Sequence, residues 1–200
     1  PHMLVDQKLW EKIISDMGIQ KNENLIIYDN SDVISSCRCW FNFIYYGHDP
    51  KLINVLNGGL GKWLKEKKKV TDKISIINKS DYKSSERKDF VKSKQAIDQN
   101  IDEKKFTLID ARSRERFEGK VPEPRKGLRS GCIKNSFCIP FNDCINDNKT
   151  FRNKDELKKI FKTCLENVEQ KNIVFSCGSG VTACVLALAY SLINDKYLPC

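Results

Sequence analysis

One cysteine stands where chemistry could be done. An apolar run, Ile173, Val174 and Phe175, leads through Ser176 into Cys177, and Gly178 and Gly180 space the loop that follows before an apolar helical pattern opens near Val181. A strand and a helix would pin the two ends of such a loop. The glycines permit backbone angles that turn consecutive N–H groups toward the sulfur. Those donors, with the positive end of the helix, would stabilise a thiolate, the nucleophilic form of cysteine. Ser179 and Thr182 add hydroxyl groups. A cysteine that merely ends a strand before a turn is ordinarily a buried structural residue. Glycines and hydroxyls following the sulfur in one unbroken loop point instead to catalysis.

Two chemistries use a loop of this shape. A cysteine phosphatase closes it with an arginine whose guanidinium grips phosphate in a bidentate fork. Here Ala183 and Cys184 occupy those positions. An uncharged loop headed by Cys177 suits a larger, less charged atom, such as the outer sulfur of a persulfide. The stretch Cys177, Gly178, Ser179, Gly180, Val181, Thr182 resembles the active-site loop of the rhodanese-like sulfurtransferases, in the form carried by their 3-mercaptopyruvate branch. Thiosulfate-using relatives carry basic residues at this loop, as their dianionic substrate requires.

A second segment supports the resemblance. The apolar run Phe106, Thr107, Leu108, Ile109 ends in Asp110, Ala111 and Arg112, and the stretch 114–128 then brings arginines, two prolines and two glycines. Prolines and glycines mark an ordered excursion rather than a helix, leaving the carboxyl end of a strand, where open parallel sheets bind ligands. The segment 110–140 is similar to the part of the same family in which two arginines hold the carboxylate and carbonyl of the substrate. Those roles fall on Arg116 and Arg125. The family's His-Ile-Pro-Gly turn is replaced by Cys132, Ile133, Lys134 and Asn135, which bears on local turn geometry more than on chemistry.

The rest of the chain limits the alternatives. Its 200 residues, 40% hydrophobic, suffice for one or two domains with real cores. The net charge of +9 comes largely from lysine patches such as Lys65, Lys67, Lys68 and Lys69. No aromatic residues interleave with that cluster, so it reads as a solvated face rather than a nucleic-acid track. No run approaches the roughly 18 apolar residues of a membrane span, and no signal peptide opens the sequence. Nine cysteines without a secretory signal indicate reduced thiols, and hence the cytosol or a mitochondrial matrix. Their spacings lack the pattern of a zinc knuckle, and His2 and His48 are the only histidines, so neither metal nor bound cofactor is expected. Cys184, about two helical turns beyond Cys177, is either an inert helix-face thiol or a redox partner for it.

The chain repeats itself faintly. A strand signal over 24–29 runs into a loop and then a helix containing Trp40, Phe41 and Phe43, paralleling 172–184 with Asp29 in the place of Cys177. A strand over 52–56, a turn at Gly58 and Gly59 and a helix start near Trp63 follow; a helix is expected over 90–99. Alternation of this kind predicts an α/β fold of parallel sheets flanked by helices. The expected organisation is a tandem of rhodanese-like domains: the C-terminal part of a catalytically silent one at 1–66, a charged linker at 67–86 and a catalytic one at 87–200. The resemblance implies truncation at both ends, with the last strand and helix of the second domain missing beyond Cys200.

Taken with the resemblance, these residues predict sulfur transfer from 3-mercaptopyruvate through a Cys177 persulfide to a thiol acceptor such as thioredoxin. Ser179, together with His2 if native, would assist protonation or orient the substrate thiol; Gly178, Gly180, Val181 and Thr182 would line the substrate. The alternative is a non-enzymatic redox sensor or persulfide-carrying adaptor built on Cys177, which would not need Arg116 and Arg125 together.

Overall fold

The computed structural model describes residues 2–167, 172–195 and 197. The chain divides into two compact units, Pro1–Lys88 and Asp89–Cys200. In the first, Asp6 caps helix α1 (Gln7–Asp16) by accepting from the Leu9 N–H, and Trp10 and Ile14 are its buried residues. Strands β1 (Leu25–Ile27) and β2 (Ile53–Val55) pair in parallel, Leu25 opposite Ile53 and Ile27 opposite Val55. Helix α2 (Ser36–Tyr45) lies between them in sequence and buries Trp40, Phe41, Phe43 and Ile44. Helix α3 spans Gly59–Lys65, beginning four residues ahead of the expected Trp63. The reason is local. Gly58 and Gly59 both adopt left-handed angles (φ 95° and 56°), so the chain turns straight from β2 into the helix.

The loop after β1 is organised around the carboxylate at the position that parallels Cys177. Asp29 Oδ2 accepts hydrogen bonds from Ser31 Oγ at 2.9 Å, Ser35 Oγ at 2.9 Å and the Ser36 N–H at 2.7 Å. Three donors of this turn are thus taken up by one side-chain oxygen of the chain itself.

The stretch expected as a linker is in part integral to the first unit. Residues 67–77 are exposed, but Tyr82 is 1% exposed, and the N–H groups of Ser85 and Arg87 donate to Tyr46 O and Tyr45 O. The boundary therefore falls at Lys88, because a buried tyrosine and its ring partners hold the returning chain. His48, fully buried, stacks near Tyr82 with ring centroids 6.0 Å apart. Its Nε2 lies 3.0 Å from Glu23 O and its Nδ1 3.2 Å from the Tyr82 hydroxyl. A carbonyl only accepts, so Nε2 carries the proton and Nδ1 accepts from Tyr82. Burial, assisted by Lys21, holds the His48 pKa below its ordinary 6.5. Between the ordinary and the folded value the unfolded chain binds a proton that the folded one refuses. Stability is therefore full above pH 6.5 and declines as pH falls below it. All three tryptophans, Trp10, Trp40 and Trp63, lie in this unit. Their fluorescence should report a lower urea midpoint at pH 5.5 than at pH 7.5, in a range above the carboxylate titrations.

The second unit is a three-stranded parallel sheet in the order β4–β3–β5. Helix α4 (Lys94–Glu103) starts later than the 90–99 expected, because Ser93 caps it by accepting from the Ala96 N–H, while Phe90 belongs to a preceding 3-10 turn. The Asn100 side chain bridges to both N–H and C=O of Phe106, turning the chain into β3 (Thr107–Asp110). One helical turn, α5 (Arg114–Phe117), opens the excursion that the prolines and glycines had indicated to be wholly non-helical. Its prolines begin at Pro122, too far on to interrupt that turn. Then come β4 (Phe137–Cys138), α6 (Lys154–Lys162) with a reciprocal Asn153–Glu156 capping box, β5 (Ile173–Ser176) and α7 (Val181–Ser191). Every residue of α7 from Ala183 to Tyr190 is buried, so the helix is apolar all round and anchors the unit. Truncating Leu186, which is fully buried, to Ala is expected to destabilise the unit by about 2–5 kcal/mol. The expected end of the domain at 198–200 lies outside the described residues.

Register carries the fold into the site. Asp110 stands opposite Cys138 on one side and Ser176 on the other, so the carboxyl ends of all three strands finish in one row. The chain after β3 and the loop after β5 leave from the same edge.

Candidate functional site

Cys177 follows β5 directly and is half-buried. Its Sγ accepts from the Ser179 N–H at 3.4 Å and the Gly180 N–H at 3.0 Å. The loop thus wraps backbone donors around the sulfur, as its composition requires. The two glycines act differently. Gly180 occupies the left-handed region (φ 78°, ψ 2°) and caps α7, whereas Gly178 does not use a positive φ. What Gly178 provides is space: a methyl group added there would lie 3.0 Å from Arg116 Nη2. Val181 and Thr182 form the first turn of α7, both half-buried.

Arg116 is thereby the cation beside the loop. It comes from α5, and a buried carboxylate holds it: Arg116 Nη2 donates to Glu123 Oε2 at 2.6 Å and Nε to Oε1 at 3.2 Å. Arg112 approaches Glu123 from the other side, Nη1 to Oε1 at 2.7 Å, and also grips Asp110 at 2.6 Å and Gly131 O at 2.9 Å. Asp110, Arg112, Glu123 and Arg116 form an alternating chain of charge running from the end of β3 to the Cys177 loop. Its formal charges cancel, which is what allows it to be buried. The Glu123 side chain is 4% exposed, and hydrogen bonds from Arg116 first, then Arg112, hold its carboxyl below the usual range.

Glu123 and Arg112 were not among the residues singled out by sequence. The signals were there: an Asp and an Arg two apart at a strand end, and a glutamate set between two prolines in an arginine-rich stretch. Removing one partner of a buried ion pair leaves an uncompensated charge, so Glu123→Gln should destabilise the second unit by about 3–5 kcal/mol. Because the folded pKa is depressed, this contribution is present above the ordinary glutamate value of 4.5 and is lost as pH falls through the folded one. Amide exchange in β3 and α7 should therefore be faster in the variant near neutral pH, and the gap from wild type should close in acid.

The structure brings Cys177, Gly178, Ser179, Gly180 and Arg116 together. Arg125 lies on the same excursion, exposed, with no hydrogen bond or ion pair among the described residues. His2 belongs to the first unit, where its side chain is exposed and its carbonyl accepts from Arg38 at 3.1 Å. Cys184 is buried and its thiol donates to Gly180 O at 3.0 Å, within its own helix. Cys37, Cys138 and Cys144 are buried, whereas Cys39, Cys132 and Cys164 are half-buried. Burial pushes the thiols of Cys39 and Cys138 up to about 11 and that of Cys144 to about 12, which keeps them protonated at neutral pH.

A parallel sheet whose carboxyl edge presents a cysteine in a glycine-spaced N–H loop, with an arginine from the adjoining excursion, defines an α/β domain with a cysteine-centred candidate site. Residues 93–196 match the model of the rhodanese-like domain, and the chain belongs to that family. It is 34% identical to thiosulfate/3-mercaptopyruvate sulfurtransferase 2 of Arabidopsis thaliana, over 94% of this chain and 60% of that protein. It is 30% identical to the 3-mercaptopyruvate sulfurtransferase of Mus musculus, over 99% of this chain and 66% of that protein. The chain thus spans less than two thirds of the length of either relative. Among solved structures, the 3-mercaptopyruvate sulfotransferase SseA of Escherichia coli superposes with a TM-score of 0.83 at 25% identity, covering 96% of this chain and 71% of that one. No helix among the described residues is long and apolar enough to cross a membrane.

Proposed function

We propose that this chain carries the catalytic site of a sulfurtransferase that takes sulfur from 3-mercaptopyruvate and passes it through Cys177 to a thiol. The observation that carries the reading is the pairing of two loop N–H groups on Cys177 Sγ with the Arg116 guanidinium beside Gly178. The Cys177 thiolate attacks the substrate sulfur; the carbon–sulfur bond breaks, and its electron pair moves onto carbon as the enolate of pyruvate. Protonation at that carbon gives pyruvate, with Ser179 as the candidate to deliver or relay the proton. The sulfur remains as a Cys177 persulfide, whose terminal charge the same N–H groups receive. An acceptor thiolate, such as that of thioredoxin, then attacks the outer sulfur and releases Cys177 as thiolate.

Arg116 and Arg125 would hold the carboxylate and carbonyl of the keto acid. The absence of basic side chains from 177–182 favours this monoanionic donor over thiosulfate, which is expected to react more slowly. Relatives named for either donor or both fit the general chemistry. A reducing compartment, cytosolic or mitochondrial, fits the reduced thiols. Intact-mass analysis after exposure to 3-mercaptopyruvate tests the proposal: one sulfur should be added, mapped to Cys177 and removed by thioredoxin with pyruvate already released. A chain that releases pyruvate without gaining sulfur on Cys177 would refute the covalent route.

A further inference from the structure

Outside the Cys177 loop, a cleft of about 380 Å³ opens beside β4, and two more thiols, Cys138 and Cys164, both line it. Cys164 follows the end of α6 and is half-buried, while Cys138, in β4, is 7% exposed. Cys164 Sγ lies 3.8 Å from the carbonyl oxygen of Cys138 and 3.5 Å from Thr163 Oγ1. The Cys138 thiol points to Arg112 O at 3.6 Å. Arg114 and Asp143 supply the charged groups of the cleft, and both, like Cys164, act electrostatically on the Cys138 sulfur.

We infer that Cys164 and Cys138 are an oxidant-modifiable thiol pair, which a hydroperoxide entering the cleft converts to an intramolecular disulfide. Exposure decides the order. The Cys164 thiolate attacks the peroxide, the oxygen–oxygen bond breaks, and Cys164 becomes a sulfenic acid while hydroxide or alkoxide leaves. The sulfur of Cys138 then attacks the sulfenic sulfur, whose oxygen departs as water with the thiol proton, and the sulfur–sulfur bond closes. Peroxide is reduced by two electrons and the two thiols are oxidised by two. Cys164 Sγ lies 3.8 Å from the backbone oxygen of Cys138, so the two residues are neighbours in one cleft. Cys138 gives up only a weak S–H hydrogen bond to Arg112 O. Its burial makes it the slow, resolving partner, so the sulfenic acid on Cys164 should accumulate long enough to be trapped.

The test is independent of sulfur transfer. The 200-residue chain bearing Cys177→Ser, which removes the competing nucleophile, is treated with hydrogen peroxide, its remaining thiols alkylated, and the digest mapped without reductant. A peptide linking Cys138 to Cys164 is expected, and dithiothreitol should dissolve it. With Cys138→Ser added, whose hydroxyl can still donate to Arg112 O, dimedone should label Cys164 instead; with Cys164→Ser neither product should form. The proposal is overturned if Cys164 is recovered alkylated after peroxide has oxidised Cys177 in the unsubstituted chain, if it is recovered only as stable oxyacids, or if it is linked to a different cysteine.

Discussion

Cys177→Ser is expected to abolish sulfur transfer from 3-mercaptopyruvate, lowering turnover by at least about four orders of magnitude, the scale on which covalent enzymes lose rate with their nucleophile. The reaction requires an anionic nucleophile, and a serine alkoxide is out of reach near neutral pH, whereas a thiol is intrinsically far easier to ionise. Geometry adds to this. The N–H groups of Ser179 and Gly180 stand 3.4 and 3.0 Å from sulfur, and an oxygen on its shorter bond to carbon would sit deeper and farther from where those donors converge. Nor can oxygen carry a sulfane sulfur through the second half of the cycle. Pyruvate release and intact mass should fail together, with amide exchange in α7 unchanged. Turnover that survives the substitution would move the reaction away from this loop.

Much of that loop was legible because its information is local. A strand, a cysteine, two glycines and a helix are consecutive in sequence, and the structure places them in that order over 173–191. The parallel architecture was legible for the same reason, from strand and helix patterns in alternation. What sequence could not supply were partners that meet only after folding. Glu123 looks like any loop glutamate until Arg112 and Arg116 close on it from either side. Tyr82 looks like part of a charged linker until the His48 ring stacks on it and Ser15 Oγ accepts from its N–H. Gly178 was read as a backbone device, yet what it provides is clearance for a guanidinium that arrives from 62 residues earlier. Helix starts at Gly59 and Lys94 differed from expectation because caps and left-handed turns, not apolar periodicity, set them.

Replacing Arg116 or Arg125 with Gly is expected to lower kcat/KM for 3-mercaptopyruvate by about one to three orders of magnitude, since each change removes one or two charge-assisted hydrogen bonds of about 1.5–3 kcal/mol. The two positions should nonetheless behave differently in the folded protein. Arg125 is exposed and makes no ion pair among the described residues, so its loss should fall on the keto acid alone and leave stability unchanged. Arg116 is a substrate ligand in the proposal and, in the structure, one of two cations neutralising Glu123. Arg116→Gly should therefore weaken catalysis and loosen the second unit together, with Glu123 left to Arg112. Lysine should rescue poorly at Arg116, because a point charge cannot bridge both Glu123 oxygens and also face the Cys177 loop. Thiosulfate has no carboxylate to place, so steady-state kinetics with both donors give the discriminating measurement. Selective loss for mercaptopyruvate in the Arg125 variant supports a keto-acid clamp. Equal loss for both donors would make the arginines architecture for the loop and would bring forward the adaptor reading, in which Cys177 carries sulfur without a dedicated donor site.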